Sequence, residues 1–210
     1  MLSFLLILCA TITTHAQVTT DVPAKVEKNK KYLFYLHGAI VQSQGENAVS
    51  PAYGKYMYRA IVDSFSNYGY HVISEVRPKD ANGSDYARKV ASQVKKLMDN
   101  GVPAHHIIIV GASAGGSIAM NAADVLSNPD INYALMGVHA GGAIKICGNF
   151  FSVYESSDAT GALAGLFEGN RCVKGFKEIK LNMGNSHGFL YQPYKEWLHP
   201  MMQWARSSSK

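Results

Sequence analysis

Continuous apolar runs alternate along this chain with longer segments in which the apolar residues recur at helical spacing. Such runs predict strands that are buried on both faces, because a strand with one face in water would alternate apolar and polar residues. The predicted strands are residues 31–38, 70–76, 106–111, 132–140, 150–155 and 176–184.

The segments between these strands predict helices. The segment 84–101 shows the pattern clearly, with Ser84 as a cap, Val90, Val94 and Leu97 on one face, and a glycine at its end. The predicted helices are residues 51–69, 84–101, 116–127 and 193–208. Pro200 lies inside the last of them, and we expect that helix to be kinked or broken there.

This alternation of strand and helix predicts the fold class. It indicates an α/β fold, a three-layer sandwich with a mostly parallel, doubly wound sheet. No repeat, low-complexity tract or linker divides the chain, so residues 17–210 are predicted to form one domain. Ligands of such sheets bind beyond the carboxyl ends of the strands, so candidate chemistry should follow the predicted strands directly.

The N-terminal segment has a different pattern. Residues 2–12 are almost wholly apolar, and the small residues Thr14 and Ala16 follow at the spacing of a cleavage site. Residues 1–16 therefore predict a signal peptide and a secreted or periplasmic protein. The apolar run is shorter than the roughly 20 residues that a membrane span needs, so no membrane association is expected after cleavage. A buried first strand or helix remains the alternative.

Two cysteines, Cys147 and Cys172, remain after that cleavage. In an oxidising compartment this pair predicts a disulfide, whereas two free buried thiols are the alternative. Because the two cysteines flank the predicted strand 150–155 and the loop after it, we expect a bridge to brace that loop.

Composition narrows the classes of function further. Hydrophobic residues make up 47% and charged residues 17% of the chain, which suits a packed core. The net charge of +5 comes from scattered lysines and arginines, with no Arg-rich helix and no aromatic RNA-binding signature. We read this charge as solvated surface and expect no nucleic-acid partner. Oligomeric state is left open.

The sequence G-A-S-A-G at residues 111–115 is the most informative motif. It matches G-x-S-x-G and lies between a predicted strand and a predicted helix, the context in which this motif marks a nucleophilic serine. From about Lys31 to the C-terminal helix, the chain resembles the α/β-hydrolase superfamily in a minimal form. This resemblance implies Ser113 as the nucleophile and no metal or organic cofactor.

The superfamily places its triad along the chain in the order serine, acid, histidine. A serine needs a base within hydrogen-bond reach and a group that orients that base. His187 follows the last predicted strand and is the expected base. The acid of the superfamily usually lies in the loop after the preceding strand, which favours Asp158 and leaves Glu155 as the alternative.

The resemblance also implies an oxyanion hole. Its donors should be the backbone N–H groups of Ala114, directly after the nucleophile, and of Ala39, in the loop after the first strand. His37 in that loop is expected to be structural. Ile40 and His139 lie beside these positions at strand ends and are candidate substrate-binding residues.

Arg77, which follows the predicted strand 70–76, is a further candidate for substrate binding. It is the one cation well placed to meet an anionic substrate group. A structural ion pair with Glu75 or Asp80 is the alternative role.

These residues together predict an exported serine hydrolase that acts on carboxylic esters with a Ser-His-Asp triad. The alternatives are a thioesterase or peptidase with the same triad, and a non-catalytic binding protein on the same scaffold. The short chain between Ser113 and Asp158 leaves little room for a helical lid. The polar loops after the first two strands show no apolar face, so we expect a water-soluble, short-acyl ester as the small-molecule substrate.

Overall fold

A seven-stranded parallel sheet forms the centre of the computed structural model, which describes residues 17–139 and 145–209. The predicted signal peptide lies outside the described residues. The strands are β1 (Gln17–Thr19), β2 (Tyr32–Leu36), β3 (Val49–Ser50), β4 (Gly54–Lys55), β5 (His71–Ile73), β6 (Ile107–Ala112), β7 (Asn132–Met136), β8 (Gly148–Glu155) and β9 (Val173–Leu181). The order in the sheet is β1-β5-β2-β6-β7-β8-β9, while β3 and β4 form a separate antiparallel hairpin.

Helices cover both faces of the sheet, which gives the three layers expected from the sequence. They are α1 (Ala39–Gln44), α2 (Tyr58–Asn67), α3 (Gly83–Asp99), α4 (Ala114–Leu126), α5 (Ala164–Phe167) and α6 (Lys195–Ser208). Two 3₁₀ turns occupy Ala104–His106 and Ser186–Leu190. Helices α2 and α6 share one apolar cluster with Leu33 and Tyr35, whereas α3 and α4 share the other with Phe34 and Leu36. Successive side chains of β2 thus enter opposite cores.

The expected helix over 51–69 is correct only in its second half. The chain first forms the β3–β4 hairpin, and α2 begins at Tyr58. The Ser50 hydroxyl does act as a cap, but it accepts the N–H groups of Ala52 and Tyr53 in the hairpin turn, at 3.2 and 3.3 Å. Ser50 therefore caps a turn and not the helix that was expected to begin there. Gly54, at a φ of 76°, reverses the chain direction so that β4 can pair with β3.

Helix α6 passes through Pro200 as one helix, so of the expected kink or break the break is wrong. Its buried residues include Trp197, Met201 and Trp204, which pack in the same core as α2. This packing outweighs the hydrogen bond that a proline removes, because tertiary contacts supply most of the stability of a helix in a protein.

Strand β1 and helices α1 and α5 were not predicted from the sequence. Strand β1 has three residues, lies at the edge of the sheet and pairs with β5. Helices α1 and α5 have six and four residues, too few to show a helical repeat.

Cys147 and Cys172 form a disulfide with their Cα atoms 4.7 Å apart, as predicted. The expected bracing of the loop after β8 is wrong, however. Cys147 precedes β8 and Cys172 precedes β9, so the bridge joins the amino ends of these paired strands, and the loop after β8 lies at the opposite edge. For a sequence separation of 25 residues, the loop-entropy model gives about 3 kcal/mol of stabilisation.

Helix α4 lies unusually close to the sheet where β6 ends. A Cβ atom added at Gly115 would lie 1.9 Å from the carbonyl oxygen of Leu36, and one at Gly111 would lie 2.4 Å from the carbonyl oxygen of Gly115. Both atoms would collide with backbone, which cannot move without displacing the strand or the helix. The two glycines that flank the turn are therefore required by the packing of α4 on β2 and β6.

We predict that Gly115→Ala lowers the free energy of unfolding by on the order of 3 kcal/mol, because the new methyl group overpacks the backbone. Urea unfolding of purified protein measures the change. Gly165→Ala is the matched control, since a Cβ there meets nothing within 4 Å, and its unfolding midpoint should stay near that of the wild type. Equal midpoints for Gly115→Ala and the wild type would contradict this account of the turn.

Candidate active site

Ser113 lies at the turn between β6 and α4, in a strained backbone conformation. Its φ of 52° and ψ of −118° fall where side chains other than glycine are rare. Its N–H donates to the carbonyl oxygen of Met136 at 2.8 Å, which joins the turn to the end of the neighbouring strand β7. Strain of this kind persists only where the surroundings impose it, and it is concentrated at functional sites.

Two helix N-termini meet beside Ser113. Ala114 is the first residue of α4, and Ala39 is the first residue of α1. A Cβ added at Gly38, which precedes α1, would lie 3.6 Å from the Cβ of Ser113. Because the first N–H groups of a helix have no partner within the helix, this junction offers backbone donors to an anion. Ala39 and Ala114 thus both begin helices at this junction.

Asp158 and His187 are brought together from the loops after β8 and β9. Asp158 Oδ2 and His187 Nδ1 lie 2.7 Å apart, so the ring donates its Nδ1–H to the carboxylate. The Asp158 side chain is 6% exposed and that of His187 is 26% exposed. The Thr160 hydroxyl donates to the same carboxylate oxygen at 3.0 Å. This arrangement fixes the tautomer of His187 and leaves Nε2 as the free acceptor.

The ring of His187 lies close to Gly137, at the end of strand β7. A Cβ added at Gly137 would be 3.3 Å from His187 Cε1, and Gly137 directly follows Met136, the acceptor of the Ser113 N–H. Within the described residues, no hydrogen bond joins the Ser113 hydroxyl to His187. Such bonds are often long in an unliganded site and shorten when substrate binds.

Glu155, the alternative acid, has a different environment. It is fully buried at the end of β8. Its carboxylate accepts hydrogen bonds from the loop after β8, which carries Asp158, and from the loop after β9, which carries His187. Burial alone would raise the pKa of Glu155, but these hydrogen bonds outweigh it and lower the pKa to about 2. It is Asp158 and not Glu155 that contacts His187.

His37 and Arg77 form a buried support beneath α1. Arg77 Nη2 donates to the carbonyl oxygen of His37 at 2.6 Å, and the N–H of Arg77 donates to His37 Nε2 at 3.0 Å. Burial, together with the charge of Arg77, lowers the pKa of His37 to about 4, so this histidine is neutral near pH 7. The structure therefore places His37 in a supporting role.

The position of Arg77 differs from both expectations. Its side chain is 2% exposed, and its Nε donates to Gln42 at 3.1 Å, so the guanidinium is held inside the protein by α1 and is not open to solvent. Within the described residues, no ion pair joins it to Glu75 or Asp80. Glu75 instead accepts the hydroxyl hydrogen of Tyr86 at 2.8 Å and pairs with a lysine of α3.

Ile40 and His139 lie at the predicted edge of the sheet. Ile40, in α1, is half-buried against the core that contains α2 and α6. His139 is exposed, follows β7 and directly precedes the undescribed residues 140–144.

Within residues 17–139 and 145–209, no group of three or more His, Cys, Asp or Glu side chains could hold a metal ion. In the same part of the chain, no helix is both long and apolar enough to span a membrane.

Sequence reasoning missed Thr160. It lies two residues after Asp158, is 8% exposed, and donates to the oxygen that also accepts from His187. A hydroxyl two residues after a candidate acid was the available signal, since such a residue readily bonds back to a neighbouring acceptor in a turn.

Comparisons with known proteins agree with this architecture. No protein-family model and no curated protein matches the chain. Among solved structures, it is similar to MGS-M1, an α/β-hydrolase enzyme from a Medee basin deep-sea metagenome library. The identity is 14%, the match covers 88% of this chain and 89% of that chain, and the TM-score is 0.62.

Two further structures are similar over most of their length. SOBER1 of Arabidopsis thaliana is 10% identical, with 86% of this chain and 100% of that chain covered and a TM-score of 0.54. Est1E of Butyrivibrio proteoclasticus, solved with ferulic acid bound, is 12% identical, with 89% and 91% covered and a TM-score of 0.55. At these identities the likeness establishes the fold. The strand order, the turn that carries Ser113 and these structural matches together show that the chain has the α/β-hydrolase fold.

Proposed function

We propose that the protein is a serine hydrolase that cleaves carboxylic esters. The single observation that carries this proposal is the 2.7 Å contact of Asp158 with His187, whose ring lies close to Gly137, the residue after the acceptor of the Ser113 N–H. A nucleophile, a base and a group that orients the base thus converge at the carboxyl edge of one sheet, where ligands of such sheets bind. Ser113 is partly exposed, so a substrate can reach it.

In the proposed reaction, the Ser113 hydroxyl attacks the carbonyl carbon of the ester while His187 Nε2 takes its proton. The Nδ1–H of His187 stays bonded to Asp158, which holds the ring in the required tautomer and stabilises its charged form. The backbone N–H groups of Ala39 and Ala114 stabilise the oxyanion. His187 then protonates the leaving alcohol, and a water molecule activated by the same histidine releases the acid from Ser113.

The solved structures support hydrolysis over a binding role without catalysis. MGS-M1 is described as a hydrolase enzyme, and Est1E binds ferulic acid. A binding protein would not need the strained backbone at Ser113, which costs on the order of 1–3 kcal/mol. Thioesters and amides are attacked by the same constellation, so substrate comparison decides among these classes.

We further propose that the protein is exported to the periplasm or beyond the cell. Two observations support this step: the apolar N-terminal sequence that ends in small residues, and the disulfide between Cys147 and Cys172. Disulfides persist in oxidising compartments and are rare in a reducing cytosol.

Short, water-soluble acyl groups are the proposed substrates. The segment between β8 and β9 contains only the short helix α5, and its Phe167 packs between Phe150 and Phe176 in the core, so α5 does not form a lid. The β3–β4 hairpin and the residues beside it carry three exposed apolar side chains, Val49, Tyr53 and Met57. These three side chains come from a short hairpin and do not amount to an amphipathic lid.

Export predicts a defined mature protein. Protein recovered from the exported fraction should begin at Gln17, and both remaining cysteines should resist alkylation until reductant is added. Intact-mass measurement with and without reduction tests both features. An N-terminus at Met1 together with two free thiols would contradict export and the bridge.

The triad predicts a ranking of variants in hydrolysis of p-nitrophenyl acetate. Ser113→Ala and His187→Ala should each lower kcat/KM by about a thousandfold or more, because the triad acts as a unit. Asp158→Asn should lower it by about a hundredfold or more, because the amide disturbs the tautomer of His187. Ser117→Ala is the matched control, an exposed serine of the same helix, and should leave the rate unchanged. Wild-type rates in purified Ser113→Ala would refute the serine-hydrolase proposal.

The open site predicts a preference for short acyl chains. Across p-nitrophenyl esters from acetate to palmitate, kcat/KM should be highest for acetate or butyrate, and it should not jump when the substrate forms micelles. A site with a long apolar groove would instead gain about 0.8 kcal/mol for each buried methylene. A rate that climbs towards palmitate, or that rises at the micelle threshold, is the contrary result.

A further inference from the structure

The structure buries one carboxylate that the proposed mechanism does not use. Glu155, the last residue of β8, has no exposed surface. No cation pairs with it within residues 17–139 and 145–209. A charge buried without a counter-ion is strongly unfavourable unless hydrogen bonds replace the lost water, so its presence requires a reason.

Both oxygens of this carboxylate are used as acceptors. Oε2 accepts the N–H of Ser157 at 2.7 Å and the hydroxyl hydrogen of Ser157. Oε1 accepts the N–H groups of Met183 and Gly184, at 3.0 and 3.1 Å, and the hydroxyl hydrogen of Ser156 at 3.3 Å. One side chain thereby joins the loop after β8 to the loop after β9.

These two loops carry Asp158 and His187. The N–H of Asp158 donates to the main-chain carbonyl oxygen of Glu155 at 3.0 Å. Ser157 Oγ, on the loop after β8, accepts the N–H of Ser186, on the loop after β9, at 3.2 Å. Ser186 directly precedes His187 and has a φ of 47°, a strained value for a serine. Glu155 is thus bonded to Asp158 through its main-chain carbonyl and, through Ser157, to the residue that precedes His187.

We propose that Glu155 is a positioning residue that holds the loops of Asp158 and His187 in register, so that the His187 ring faces Ser113. The inference rests on the proposed function. It assigns to Glu155 a role in the site distinct from that of the triad acid, which Asp158 fills.

The hydrogen bonds that Glu155 accepts from the two loops require a carboxylate. A glutamine has the same shape, but its NH₂ group would have to face the donors at Oε1 or those at Oε2, and N–H groups would then oppose N–H or O–H groups. An apolar residue would leave the same backbone N–H groups buried without partners. Because the hydrogen bonds hold the pKa of Glu155 near 2, the side chain is ionised throughout the neutral range.

Glu155→Gln tests the proposal, with Ser157→Ala as a milder variant that removes only the hydroxyl bridge to Ser186. Glu178→Gln is the matched control, a half-buried glutamate of β9 whose carboxylate accepts one N–H, that of Leu163, at 2.7 Å. Two experiments are done on each protein: steady-state kinetics with p-nitrophenyl acetate, which give kcat and KM, and proton NMR of the low-field resonance of the His187 Nδ1–H that is bonded to Asp158.

We expect Glu155→Gln to lower kcat by about 10- to 100-fold with KM within about threefold of wild type, since small displacements of reacting groups cost rates of this size. The low-field resonance should broaden or disappear, because the bond between His187 and Asp158 is no longer held. Ser157→Ala should change kcat and the resonance in the same direction by less, and Glu178→Gln should change neither.

Unchanged kcat and an unchanged resonance in Ser157→Ala and in folded Glu155→Gln would overturn the positioning role. Equal losses in Glu178→Gln would overturn it too, because the effect would then be general to buried glutamates. If Glu155→Gln does not fold, the resonance and kcat of Ser157→Ala decide. Absence of ester hydrolysis in the wild type would refute the proposed function alone, since the resonance still reports whether Glu155 holds the pair.

Discussion

The approach of helix α4 to the end of β6 is the constraint on which the rest of the site depends. It is possible because residues 111 and 115 are glycines, whose missing Cβ atoms leave room for the backbone of both elements. The same approach forces Ser113 into its strained conformation at the N-terminus of α4. One packing requirement therefore sets both the exposure of Ser113 and the direction of the N–H group of Ala114.

The parallel sheet brings the remaining groups to the same place. Every strand of the sheet runs in one direction, so the segments that follow β2, β6, β8 and β9 meet at one edge. The first brings Ala39, the second Ser113, and the last two bring Asp158 and His187. Behind them, buried polar groups are hydrogen-bonded to the backbone: Arg77 donates to the carbonyl oxygen of His37, and Glu155 accepts N–H groups from the two loops that carry Asp158 and His187. The disulfide lies at the opposite edge and stabilises the sheet there without touching the site.

Periodicity and local motifs were sufficient to predict the main strands, the fold class and the four long helices, although for α2 the prediction holds only in its second half. They failed where the structure depends on contacts distant in sequence. Pro200 was expected to kink or break α6, but the helix continues through it, with Trp197 and Met201 buried in the core. Arg77 was expected to meet a substrate group or to pair with Glu75 or Asp80, whereas it is buried and donates to His37 and Gln42.

The candidate site shows the same division. Ser113 and His187 could be chosen from motif and order alone, and loop position favoured Asp158 over Glu155. Why the chain contains both carboxylates could not be known from the sequence, because the donors to Glu155 include Met183 and Gly184, which lie on a different loop. A sequence shows which residues can carry charge, whereas the fold determines which donors surround them.

Labelling with a fluorophosphonate tests whether Ser113 is a nucleophile activated by His187. The mature protein is treated with the reagent and digested, and the adduct is located by tandem mass spectrometry. We expect one phosphonylated residue, Ser113, and loss of that adduct in His187→Ala. An unmodified wild-type protein, or an adduct formed at another serine, would contradict this expectation.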